Sequence, residues 1–234
     1  MYRSIVNFFG KRILIIAAHP DDEVLGCGGL ISKFYRDSKF KIIFLAEGVS
    51  VRFESAKKEE LQSAISLRNS GAQYLDNFGI NDSVFHNLAC GTLPLLDPKL
   101  LHNLIKQGVE DFEPDYIFTH SRLDNHQDHR AVYDAAMVAV RPIQNLRKIG
   151  LISFEVLSSS EWNFDQPFTP NLFIDLSILD LENKIRMMEA YTGELREYPF
   201  PRSKVGIETL AKYRGIQSGF EFAEAFKAIR IPIA

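Results

Sequence analysis

Lys11-Arg12-Ile13-Leu14-Ile15-Ile16-Ala17-Ala18-His19-Pro20-Asp21-Asp22-Glu23 is the stretch on which the fold turns. From Lys11 to Ala18 it is an almost unbroken apolar run rich in β-branched residues, the pattern of a strand covered on both faces. Pro20 pushes His19 toward an extended backbone. The acids that follow sit where a helix N-terminus favours negative charge, so a helix is expected from there to about Asp37. Gly26, Gly28 and Gly29 would weaken that helix unless a neighbouring strand or a ligand comes close to its backbone.

The alternation continues outward. Lys41 to Ala46 reads as a strand, Ala56 to Leu67 as an amphipathic helix, and Tyr74 to Phe78 as a short strand before the turn-rich segment from Gly79 to Ser83. Asp97-Pro98 is an N-cap with proline at the first helical position, opening a helix to about Glu113. Tyr116 to Thr119 is a fourth strand. It delivers a second polar cluster, Asp124-Asn125-His126-Gln127-Asp128-His129, at the start of a helix through Val140. Gly150 to Leu157 and Leu172 to Asp175 are further strands, Ser177 to Asp180 reads as a capping box for a helix to about Tyr191, and Val205 to Ile216 is another helix. Glu182, Lys184, Arg186 and Glu189 read as a solvated helix face. The pattern predicts an α/β fold, a three-layer Rossmann-like sandwich with a mostly parallel sheet, in a single domain spanning 1–234. In such sheets ligands collect beyond the carboxyl ends of the strands, and both polar clusters fall there.

Composition narrows the function. The chain has 234 residues, 46% of them apolar and 24% charged, with a net charge of −3. No Lys/Arg cluster is longer than Lys57-Lys58, which argues against a nucleic-acid surface. Cys27 and Cys90 form no C-x-x-C pair and are too few for a disulfide framework, so a reducing, cytoplasmic setting is expected. No apolar run approaches the length of a spanning helix, so stable membrane insertion is not expected. Met1 to Gly10 lacks a signal-peptide cleavage pattern and reads as a leader tucked against the first strand. Homo-oligomerisation is left open.

His19 and Asp22 are three apart across the first strand-to-helix turn, and His126 and His129 are three apart at the second. Catalytic zinc sites commonly use about three protein ligands and leave one position for water. His19, Asp22 and one of His126 or His129 would suffice. The other histidine, with Asp21 and Asp128, would then serve proton transfer and support of the ligands. The alternative is that these are ordinary hydrogen-bonded histidines and helix-capping acids. Against it, four of the six histidines, His19, His120, His126 and His129, gather at two predicted sheet ends. His86, placed in a loop, and His102, on a helix, are read as structural.

At these residues the chain resembles the PIG-L/LmbE-like zinc-dependent N-deacetylases, which act on N-acetylglucosamine-type sugars. The matching segments are Ala18-His19-Pro20-Asp21-Asp22-Glu23-Val24-Leu25-Gly26-Cys27-Gly28-Gly29, Glu47-Gly48 and His126-Gln127-Asp128-His129. The resemblance implies one Zn2+ bound by His19, Asp22 and His129, with Asp21 as general base and His126 over the reacting carbonyl, supported by Asp128. It extends through Gly48-Val49-Ser50-Val51-Arg52, Arg141-Pro142, Ser158 to Trp162, Pro170-Asn171, Pro201-Arg202-Ser203 and Ala223 to Phe226, and looks like the branch tied to bacterial surface-polysaccharide and amino-sugar pathways. Two positions depart from the pattern. Phe200 stands where a histidine is expected, and Lys57 where relatives often carry arginine.

The activity so implied is removal of the N-acetyl group from an N-acetylated amino sugar, free or carried on a nucleotide, lipid or glycan. Arg52 and Arg202 are candidate substrate contacts because their guanidinium forks suit anionic or planar groups, and they suit structural ion pairs equally. Trp162 is a candidate for stacking on a sugar ring, or else a core aromatic. The competing functions are a zinc hydrolase of another amide or ester, and a metal-stabilised carbohydrate-binding protein without turnover. Asp21 and His126 argue against the last, since binding alone needs no base beside the metal.

Overall fold

A computed structural model describes residues 6–53, 57–142 and 148–232. In chain order the elements are β1 (Arg12–Ala17), α1 (Asp22–Phe34), β2 (Lys39–Ala46), α2 (Lys58–Ala72), β3 (Ser83–Leu88), α3 (Pro98–Phe112), β4 (Tyr116–His120), α4 (Gln127–Ala139), β5 (Gly150–Phe154), β6 (Leu172–Leu176), α5 (Ile178–Glu189), α6 (Lys204–Ser218) and β7 (Phe222–Arg230). The strands form one sheet in the order β3-β2-β1-β4-β5-β7-β6. Every pairing is parallel except those of β7 with β5 and β6.

Strand periodicity splits the core in two. Ile13, Ile15 and Ala17 face a cluster with α1, α5 and α6, while Leu14, Ile16 and Ala18 face one with α3 and α4. β1 is therefore covered on both sides, which is why its sequence lacks polar alternation. The glycines of α1 are explained by close neighbours. The Phe154 ring fills the space a side chain at Gly26 would need, Lys184 the space at Gly28, and Leu176 with Glu224 the space at Gly29. Phe8 is buried against Phe34 of α1 and against Tyr116 and Phe118 of β4, so this end of the leader packs its ring on α1 and the fourth strand. Its residues 1–5 lie outside the described residues, as does Ala56, the expected start of α2.

Three expectations need correction. The segment expected as a strand from Tyr74 to Phe78 is a 3₁₀ turn over Gln73–Phe78, which buries Leu75 and Phe78. The strand comes later, at Ser83–Leu88, so His86 lies on β3 rather than in a loop. β3 sits at the sheet edge and is only partly buried, hence its weak apolar signal. β7 was not expected, because Glu224 and Lys227 interrupt its apolar run. Lys184 does not belong to a solvated face either. It is buried and pairs with Glu224 at 2.6 Å.

β1 lies between β2 and β4, with β2 reached on one side and β4 on the other. That reversal of strand order opens a crevice at the carboxyl ends of β1 and β4. His19 and His120 lie at this edge.

Candidate metal centre

The turn from β1 into α1 is made by Asp21, whose backbone sits at φ 111, ψ −26. For a residue with a side chain this costs about 1–3 kcal/mol. The bend sends two adjacent carboxylates in different directions. Asp22 Oδ2 accepts from the backbone N–H of His19 at 2.8 Å and faces its Nδ1 at 3.2 Å. Asp21 Oδ2 is instead held by Arg68 Nη2 at 2.9 Å and Arg202 Nη1 at 3.0 Å.

His129, in the first turn of α4, brings its Nε2 to 3.3 Å from Asp22 Oδ2. One donor atom each from His19, Asp22 and His129 lies within 4.8 Å of the other two, and all three residues are buried. The outward nitrogen of each ring meets a second carboxylate: His19 Nε2 lies 3.0 Å from Asp128 Oδ2, and His129 Nδ1 lies 3.1 Å from Asp124 Oδ1. Asp124 is fixed in turn by the hydroxyls of Ser159 at 3.0 Å and Ser160 at 2.5 Å. Metal-ligating imidazoles are oriented by this kind of outer carboxylate.

The charges point the same way. Burial opposes a proton on His19, but its hydrogen bonds to Asp128 and Asp22 outweigh burial and hold it well above the usual imidazole range. Burial likewise opposes His129, yet the Asp22 charge and the Asp124 hydrogen bond raise it to about 9. Burial would raise the Asp22 carboxyl, but the His129 and His120 charges bring it well below its ordinary value. A centre that draws two protons between buried carboxylates also suits one divalent cation. His19, Asp22 and His129 therefore fit a His2Asp site for zinc or a similar ion.

Other expected residues are arranged differently. The Asp128 carboxylate is engaged by His19, by the Gly91 N–H at 2.6 Å and by the Leu93 N–H at 3.0 Å. It meets His126 through its backbone N–H, which donates to His126 Nδ1 at 3.2 Å. Its carboxylate thus orients His19 rather than His126. The His126 ring lies 4.9 Å from that of His19 and stacks on His129 at 4.6 Å. Burial and the His129 charge lower its pKa to about 4. Burial raises Asp21, with Arg68 opposing.

A cavity of about 250 Å³ opens onto these groups, lined by His19, Asp21, Asp22, His126 and His129 together with Arg52, Arg68, Cys90 and Arg202. A larger cavity of about 760 Å³ beside α6 contains no histidine or cysteine, so it lacks the donors for this chemistry. Arg52 and Arg202 both line the smaller cavity and both make ion pairs. Arg52 grips Glu194 at 2.7 and 3.0 Å, and Arg202 reaches Asp21 and Glu194. Trp162 is 49% exposed and packs edge-on against Phe164, outside the residues lining this cavity, so the core-aromatic reading is wrong. Phe200 carries the Arg196 and Arg202 guanidinium groups against its ring. Lys57 is exposed at the N-cap of α2, and it is Arg68 of that helix that enters the site.

Arg68, Glu194 and Cys90 were not singled out from sequence. Isolated residues in a helix and two loops carry no local signal, whereas Asp124 could have been assigned a role, since it opens the second polar cluster.

A family model described as PIG-L, GlcNAc-PI de-N-acetylase, matches residues 14–140. The chain is 34% identical over 140 residues to the uncharacterized deacetylase YaiS of Escherichia coli K12, covering 58% of this chain and 71% of that protein. It is 23% identical over 227 residues to the diacetylchitobiose deacetylase of Thermococcus kodakarensis, covering 94% of this chain and 83% of that one. Among solved structures, the 4-carboxy-2-hydroxymuconate hydratase GalB of Pseudomonas putida KT2440 superposes with a TM-score of 0.74 at 17% identity, over 96% of this chain and 98% of that one. That last likeness concerns the fold alone.

Proposed function

We propose, because this chain belongs to the PIG-L family of GlcNAc-PI de-N-acetylases, that it is a zinc-dependent hydrolase removing the N-acetyl group from an N-acetylated amino sugar. The observation that carries this reading is the convergence of His19, Asp22 and His129, within 4.8 Å of one another, beside the buried Asp21. The deacetylase relatives support the amide, and the diacetylchitobiose enzyme supports the amino sugar.

His19, Asp22 and His129 would hold the ion, which when bound acts as a Lewis acid and lowers the pKa of a water ligand to around 7. The protein's own groups do the rest. Asp128 and Asp124 fix the two rings. Asp21, clamped by Arg68 and Arg202, is the base that takes the proton of the attacking water. His126, in the same cavity, faces the developing oxyanion, where a well-placed donor contributes about 2.7–4 kcal/mol. The leaving amine needs a proton, which Asp21 or His126 returns.

Acetate release from a panel of N-acetyl sugars, with and without chelator, tests the reading. Turnover that needs metal and an N-acetyl sugar supports it. Turnover confined to other amides or esters moves the chain to the wider hydrolase class, and sugar binding without turnover makes it a lectin-like protein. Asp21→Asn should keep the metal and slow the reaction about 10²–10⁴-fold, as expected for loss of a general base. Full activity in that variant would remove Asp21 from the role.

A further inference from the structure

His19 presents both ring nitrogens to metal-ligating chemistry. Nδ1 faces Asp22, while Nε2 lies 3.0 Å from Asp128 Oδ2 and 3.4 Å from Cys90 Sγ. Around that second nitrogen stand Cys90, His126 and Asp128, and one donor atom from each, with one from His19, lies within 4.8 Å of all the others. Three of these four residues are buried, and all but Asp128 line the metal cavity.

The thiol is held in place rather than drifting there. The Cys90 backbone N–H donates to Glu47 Oε1 at 2.8 Å and to Ser50 Oγ at 3.0 Å. The same Glu47 carboxylate accepts from the Val49 and Ser50 N–H groups through Oε2, so the chain around Cys90 is pinned to the turn after β2. On the other side, the Gly91 N–H donates to Asp128 Oδ2 and ties the next residue to the carboxylate of the set.

We propose that Cys90, His126 and Asp128, with His19 Nε2 as a fourth donor, form a second binding site for a thiophilic divalent cation of the zinc or cadmium class, and that filling it inhibits the enzyme. The donor chemistry supports this. Thiolate and imidazole favour borderline and soft ions, and thiolate with Asp128 supplies two negative charges that balance a dication. On binding, the Cys90 thiol releases its proton to solvent and a metal–sulfur bond forms, with no change in oxidation state. His19 joins only by releasing its Nε2 proton to solvent as well, which ends its hydrogen bond to Asp128. The second ion therefore competes with the carboxylate that orients a ligand of the first, and it occupies His126 as well. The plain alternative is that Cys90 is a small packed residue whose sulfur happens to lie near an imidazole.

The binding claim goes beyond the proposed function and stands without it. Metal-free protein titrated with Co2+ should bind two equivalents, and a thiolate-to-cobalt charge-transfer band in the near ultraviolet should grow only with the second. Cys90→Ser should bind one equivalent with no such band and an unchanged circular dichroism spectrum; Cys90→Ala is the substitute should the serine variant fold poorly. On the active enzyme, excess Zn2+ should inhibit the native chain, and Cys90→Ser should need about tenfold more, the low end of what losing a site residue does to metal affinity. A single equivalent without the band overturns the second site. A band that rises with the first equivalent overturns the two-site division and makes Cys90 part of the primary centre. Both cobalt results are readable in a protein that hydrolyses no N-acetyl sugar.

Discussion

Two buried polar regions flank α1, and they are finished to different degrees. Behind its middle, Glu224 of β7 accepts from the Gly29 and Leu30 N–H groups and from Lys184 Nζ, which also donates to the Leu25 carbonyl. Donors and acceptors there answer one another, and the pair staples α1 to α5 and β7. At the N-terminus of α1, carboxylates and imidazoles converge on a common point instead, and His120 Nδ1 and Arg202 Nε nearby are buried without a hydrogen-bond partner among the described residues. A closed polar cluster stabilises; one left open toward a cavity is disposed to bind something.

Substitutions at either cluster should separate their roles. The largest effect is expected at the open cluster. His19→Ala or Asp22→Ala should leave little zinc bound and reduce acetate release by more than about a thousandfold, since the Lewis acid and its oriented water go together. Metal analysis of the purified variants checks it, and bound stoichiometric zinc would contradict the assigned ligands. At the closed cluster, Lys184→Met should cost about 3–5 kcal/mol, because it strands the Glu224 carboxylate in the core. Urea unfolding measures this, while turnover per folded molecule should stay near that of the native chain. A loss of turnover with unchanged stability would mean that the two clusters are not separable.

Glu194 sharpens the contrast through pH. Burial would raise its carboxyl, but the Arg52 hydrogen bond and the Arg68 charge overcome burial and bring it down to about 2. Its folded pKa thus lies below the unfolded value of about 4.3. The stabilisation, on the order of 2–3 kcal/mol, is present above that unfolded value and is lost as pH falls toward 2. Glu194→Gln should flatten the acid limb of the stability curve over this window. The smallest effect is expected at an orienting carboxylate. Asp124→Asn should weaken zinc binding about 10–100-fold while leaving the ligands in place. A competition titration with a chelator reads it, and unchanged affinity would make Asp124 merely a partner for Ser159 and Ser160.

The order of elements was largely legible from residue pattern. β1 could be read because Ile13 to Ala17 lie in a doubly covered strand, and α5 because Ser177 and Asp180 form the expected reciprocal cap. β3 and β7 were not legible. An edge strand needs little apolar character, Glu224 in β7 is tolerated because Lys184 and the Gly29 and Leu30 N–H groups, far away in the chain, meet it, and Lys227 is only half-buried. Lys184 misleads for the same reason: its place in a run of alternating charge suggests solvent, while Glu224, forty positions later, and the Leu25 carbonyl receive it inside.

A few neighbouring residues sufficed to show that a strand stops just before His19, that a helix opens with adjacent acids, and that a second histidine cluster begins another helix. Contacts across the fold set the rest: His129 meets Asp22, Asp128 turns to His19, Arg68 and Cys90 line the cavity, and Glu194 holds its arginines. Backbone preference and hydrophobic period act over a few residues and can be read in order. Which side chains share a buried point depends on sheet register and helix packing between segments far apart in the chain, and no local pattern records that.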